Sequence, residues 1–250
     1  MFPSMDFSFK KPLNLFALLA LLTAVFFIII SPILSFIGIF PTTQTDGLEL
    51  TEGILLLSSL ITILIFVGTP FLWYLLVNQL SIRNMLSSLQ LRKTKLDEAI
   101  LWGVLGAIIM FVIIVAIGYL LVLFGMDQNE ISNIQDLAGT LSVASMIFVI
   151  LFQSVGEEIF FRGFLMKKME GLSSKTTAIL STAILFGVAH MSYGKIYPVL
   201  MPIFMGIILG IIVYKTNNLL SAIVAHLLFN LTSFLMYLLA QSYQLSALML

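Results

Sequence analysis

The chain of 250 residues contains no cysteine. That excludes disulfides, thiolate metal ligands, a cysteine nucleophile and palmitoylation. Charge is scarce. Asp, Glu, Lys and Arg make up 10% of the residues, against about 25% in an ordinary soluble domain. The twelve basic and twelve acidic residues cancel, so the basic footprint of a nucleic-acid-binding protein is missing. There are two histidines, His190 and His226. The sequence has no His-Glu-x-x-His run, no Gly-x-Ser-x-Gly elbow and no phosphate-binding loop, which removes the common zinc, serine and nucleotide chemistries. It also has no low-complexity tract, linker or clear internal repeat, and the last point argues against an inverted-repeat transporter.

What is present is apolar. Hydrophobic residues are 60% of the chain and the mean hydropathy is +1.12. Repeated runs of roughly 20 apolar residues indicate an all-α, polytopic transmembrane bundle. Seven spans fit, near 12–36, 54–77, 99–124, 140–162, 176–191, 198–214 and 219–240, with an eighth left open. The first run is too long for a signal-peptide core and lacks a small-x-small cleavage site, so it reads as an uncleaved signal anchor.

Basic residues set the orientation. With Lys10 and Lys11 in the cytoplasm, ten of the twelve Lys and Arg fall in cytoplasmic segments. Lys195 lies outside and Arg162 within a span. The loop 37–53 carries Asp46, Glu49 and Glu52 and no base. The loop 125–139 carries Asp127, Glu130 and Asp136 and no base. The expectation is therefore an N-terminus inside and a C-terminus outside. Gly194 and Pro198 mark a tight turn between the fifth and sixth spans. Gly206 and Gly210 form a GxxxG pattern, read as a packing face.

The polar residues inside the spans carry the functional signal. A charge at bilayer depth costs about 2.5 kcal/mol or more, so it faces a bundle interior and usually serves a function. Glu157, Glu158 and Arg162 sit in the fourth span. Glu158 and Arg162 are four apart and share a helix face, in the favourable order for an ion pair. Glu157 is rotated by about 100° from Glu158, so one arginine does not serve both. A carboxylate left without that partner in an apolar setting suits general acid–base work near neutral pH. His226 and Asn230 are also four apart and project from one face of the last span, and His190 ends the fifth. One Glu, two His and an Asn contain what peptide-bond hydrolysis requires. Glu157 takes a proton from water, His190 orients that water, and His226 and Asn230 donate hydrogen bonds to the oxyanion. The same Glu157, His190 and His226 could instead hold zinc through two imidazoles and one carboxylate, with Asn230 outside the ligand set. The residues leave both mechanisms open. Ser154 has no arranged base and reads as a small packing residue.

Three motifs stand in order: Glu157-Glu158-Ile-Phe-Phe-Arg162, Phe186-Gly-Val-Ala-His190 and His226-Leu-Leu-Phe-Asn230. Together they resemble the CPBP (Abi) family, which includes type II CAAX prenyl endopeptidases and bacteriocin-processing or immunity proteins. The resemblance covers about residues 140–235. It implies an intramembrane endopeptidase in which residues 1–139 supply N-terminal transmembrane helices and residues 140–240 the catalytic core, all within one integral membrane domain. By motif, Glu157 and His190 activate the water, and His226 and Asn230 form the oxyanion side. Glu158 and Arg162 support Glu157, and Phe186 shapes the pocket. The implied cofactor is zinc or none. The implied partners are a membrane-associated peptide or protein substrate and the lipid around it. The compact, Lys-poor form resembles bacterial members, which implies the bacterial cell membrane. The competing expectation is a non-catalytic immunity or regulatory protein that binds a peptide or membrane partner. A proton- or ion-coupled transporter needs a continuous polar path, and the spans hold too few polar residues to build one. Finally, the depth of His190 relative to Glu157 predicts an irregular or interfacial element at Leu172 to Lys175.

Overall fold

The computed structural model describes residues 7–39, 51–125, 140–193 and 195–248. Asp46, Glu49, Asp127, Glu130, Asp136 and the Gly194 turn lie outside these residues. The described chain is helical, with no strand. The helices are α1 Pro12–Phe36, α2 Glu52–Val77, α3 Ile82–Ser88, α4 Leu96–Leu123, α5 Val143–Glu170, α6 Lys175–Val188, α7 Tyr197–Thr216 and α8 Leu220–Leu248. Six of these, all but α3 and α6, are long and apolar enough to cross a membrane. This is an integral membrane helical bundle, and α6, at 14 residues, is its short member.

Helix boundaries follow local chemistry. Pro12 opens α1, where its missing N–H costs no intrahelical bond. Thr51, Ser142 and Ser174 cap α2, α5 and α6 by accepting from the backbone N–H three residues on. The α5 cap is tied across the bundle. Glu52 on α2 accepts from the Ser142 backbone N–H at 3.1 Å and from its hydroxyl at 2.6 Å, and also from the Ser145 hydroxyl. Asn217, in the left-handed conformation at φ 51°, ends α7.

One expectation changes. The fourth span continues through Arg162 to Glu170 rather than stopping at 162. Its terminal lysines are accommodated by aromatic faces: Lys168 Nζ is 5.2 Å from the Tyr74 ring, and Lys167 Nζ is 5.5 Å from the Tyr214 ring. The segment 78–98, which carries Arg83, Arg92, Lys93 and Lys95, contains the short helix α3, capped by Ser81. The chain at Gly171–Ser174 is a turn between α5 and α6, as the depth argument required, with α6 already helical at Lys175.

Close approach of α6 and α7 depends on small residues. A Cβ at Gly206 would stand 2.8 Å from the Ala183 Cα, and one at Gly187 would stand 2.6 Å from the Val199 carbonyl oxygen. The GxxxG face is therefore a packing face. The core between α2, α5, α6 and α8 is rich in aromatic rings. Phe161 packs edge-on against Phe186 at 5.0 Å, and Phe66 lies against Phe160 and Phe161.

Candidate active site

Within α5 the backbone passes from α-helix to a π-helical stretch over Ile159–Leu165, directly after Glu157 and Glu158. Such wider turns recur at functional sites because they re-aim the side chains beside them. Glu158 and Arg162 still meet, with Arg162 Nη1 donating to Glu158 Oε1 at 2.8 Å. Both are fully buried, at 0% and 1% exposure. The guanidinium also lies 4.4 Å over the Phe186 ring, so Arg162 fastens α5 to α6 as well as neutralising Glu158.

His226 reaches this pair from α8. Its Nδ1 lies 2.8 Å from Glu158 Oε1. A carboxylate that already accepts from Arg162 accepts here too, so Nδ1 carries the hydrogen. The other ring nitrogen, Nε2, lies 3.8 Å from Glu157 Oε2. Glu157 is held separately: Gln153 Nε2 donates to its Oε1 at 3.1 Å, one turn earlier on α5. The two adjacent glutamates thus have different partners, as their angular separation on the helix requires.

His190 stands just past the end of α6. Its Nδ1 is 2.7 Å from the Phe186 carbonyl oxygen. A carbonyl only accepts, so Nδ1 is the protonated nitrogen and Nε2 keeps the lone pair in the neutral ring. Phe186 packs edge-on against both imidazoles, at 5.0 Å from His190 and 5.9 Å from His226. On α8, Asn230 Nδ2 donates to Ser154 Oγ at 3.0 Å. Ser154 is buried, lines the cavity and fixes the amide, which corrects its reading as a mere packing residue.

One cavity of about 390 Å³ joins these groups. Glu157, His190, His226 and Asn230 all line it, with Phe186 in its wall. Glu158 and Arg162 do not line it and lie behind His226. Gln153 and Ser154 were not singled out as functional by sequence reasoning. The Gln-x-x-x-Glu spacing of 153 and 157 was the available signal for the first. Nothing in the sequence marks the second, because its partner is 76 residues away.

Zinc does not fit this set of side chains. Glu157, His190 and His226 do not gather around one point, and among the described residues no three His, Asp or Glu side chains form a metal-binding group.

Residues 139–232 match a family model described as type II CAAX prenyl endopeptidase Rce1-like. The matched stretch contains all three motifs and every residue of the cluster just described. Over these residues the chain is similar to the CAAX-protease (CPBP) family of intramembrane proteases. The matched segment spans α5 to the first half of α8, while α1 to α4 lie outside the match. No curated protein and no solved structure matches the chain.

Proposed function

We propose that the protein is a glutamate-type intramembrane endopeptidase acting on membrane-associated peptides or proteins. The observation that carries this reading is the convergence of Glu157, His190, His226 and Asn230 on one cavity. In the proposed reaction, Glu157 takes a proton from a water whose other hydrogen is held by His190 Nε2. The water oxygen attacks the scissile carbonyl carbon. Negative charge moves to the carbonyl oxygen, which accepts from the second amide hydrogen of Asn230 and from His226 Nε2. Because Nδ1–H is given to Glu158, a hydrogen on Nε2 makes His226 an imidazolium. The Glu158 carboxylate lies 2.8 Å from Nδ1 and the Glu157 carboxylate 3.8 Å from Nε2. Collapse of the intermediate breaks the C–N bond, and Glu157 returns its proton to the leaving nitrogen.

Residues 1–139 supply transmembrane scaffold in this reading and residues 140–240 the catalytic core. The test is cleavage of a membrane-peptide library by purified wild type beside Glu157→Gln. Loss of about 10²–10⁴-fold in rate with an unchanged thermal transition is expected for removal of a general base. Retained cleavage would remove Glu157 from that role. Absence of cleavage by the wild type, with a phenotype that survives Glu157→Gln, would favour a non-catalytic membrane partner.

A further inference from the structure

The cavity is closed on one side of the bundle and extends toward the other. On α5 the lining residues run from Met146 to Glu157, with none beyond. On α7 they run from Tyr197 to Met205 and stop, although that helix continues to Thr216. On α8 they begin at His226 and continue to Phe234. Glu157 lies 14 residues past the start of α5, about 21 Å deep. Below this level the bundle is packed shut. Arg162, Phe161 and Phe186 are each no more than 1% exposed, and Gly206 packs on Ala183 immediately after Met205.

The closed side is the basic side. Lys215 Nζ lies 4.1 Å over the Trp102 ring, and Lys175 Nζ lies 4.4 Å over Tyr214. Asn218 Nδ2 donates to the Arg92 and Thr94 carbonyls at 3.1 and 3.4 Å. Phe7, close to Lys10 and Lys11, stacks on Trp73 at 6.0 Å, and Lys168 reaches the same aromatic cluster. Ten of the twelve basic residues therefore belong to this end. Lys195, two residues before α7, is at the other. Lys and Arg are concentrated in cytoplasmic segments.

From this geometry we infer that the cavity opens to the non-cytoplasmic side, and that its substrate is an uncharged, apolar peptide segment presented there. The substrate part rests on the peptidase reading above; the direction of opening does not. Apart from Glu157 and the histidines, no ionisable carboxylate or amine of the described residues lines the cavity. Met146, Ile150, Met201, Phe229 and Phe234 form much of its wall. Such a wall recognises an apolar side chain and offers nothing to a charged one. A peptide bond inside a membrane helix has its carbonyl hydrogen-bonded, so the segment cut is one that unwinds where an apolar stretch meets the non-cytoplasmic surface.

The absence of cysteine makes the direction directly measurable. Ser233→Cys and Tyr197→Cys place a thiol in the cavity and near its mouth; Lys93→Cys places one on the exposed basic end. A membrane-impermeant maleimide should label the first two in right-side-out vesicles and spare them in inverted ones, with Lys93→Cys reversed. Labelling of both cavity thiols from the Lys93 side, or from neither side, would overturn the inference. In parallel, two single-span reporters carry the same apolar test segment, one on each side of the membrane. Cleavage of the non-cytoplasmic reporter alone is expected, and cleavage of the cytoplasmic one alone would overturn the substrate assignment. If neither is cut while labelling goes as expected, the peptidase reading and its substrate fall and the direction of opening stands.

Discussion

His226 binds Glu158 through Nδ1 at 2.8 Å and turns Nε2 toward Glu157 at 3.8 Å. One imidazole thus separates two adjacent glutamates into two environments. Glu158 sits behind the ring with Arg162, and Glu157 faces the cavity with Gln153. The two carboxylates should therefore respond differently to the same substitution.

Glu158→Gln keeps the shape and removes the charge. It leaves Arg162 buried without its counter-ion, which costs about 3–5 kcal/mol when one partner of a buried pair is lost. Thermal unfolding in detergent should show a large drop for Glu158→Gln and little change for Glu157→Gln. Equal drops would contradict the division of roles. Pairing Glu158→Leu with Arg162→Met should recover much of the stability and none of the activity, because His226 would still lack its anchor.

Asn230→Ala removes an oxyanion donor. A loss of about 10²–10³ in kcat is expected from removal of one such donor. Ser154→Ala leaves the amide in place but frees it to rotate, so its loss should be smaller and fall on kcat more than on KM. Kinetics on a common peptide decide this. A Ser154→Ala loss as large as that of Asn230→Ala would indicate a direct role for the hydroxyl.

Gly206→Ala tests the seam between α6 and α7. Its methyl group would stand 2.8 Å from the Ala183 Cα and 3.2 Å from Arg162 Nη2. Overpacking of this kind costs about 1–3 kcal/mol. Activity should fall together with stability, because Arg162 is displaced from Glu158 and Phe186. An unchanged melting transition would mean that the helices separate at no cost.

Activity should withstand a strong chelator, and purified active protein should contain substoichiometric zinc. The positions of Glu157, His190 and His226 motivate this expectation, since they do not converge as ligands. Loss of cleavage on chelation, with recovery on adding zinc, would replace the glutamate mechanism by a metal one.

Much of this protein was legible in one dimension. Apolar runs of membrane length located the helices, because backbone hydrogen bonding in lipid permits little else. The four-residue spacings Glu158–Arg162 and His226–Asn230 placed each pair on one helix face through helical periodicity alone. The separation of Glu157 from Glu158 likewise followed from the angle per residue. The tertiary structure decided what lies between helices: that Glu158 holds His226 across 68 residues of chain, that Ser154 anchors Asn230 across 76, and that Glu157, His190 and His226 meet at one cavity without forming a three-ligand metal group. It also showed that the cavity ends where Arg162 and its aromatic neighbours begin. Local periodicity determines the direction in which a side chain leaves its own helix. The neighbour it meets depends on the packing of all the helices at once, and no spacing along the chain encodes that.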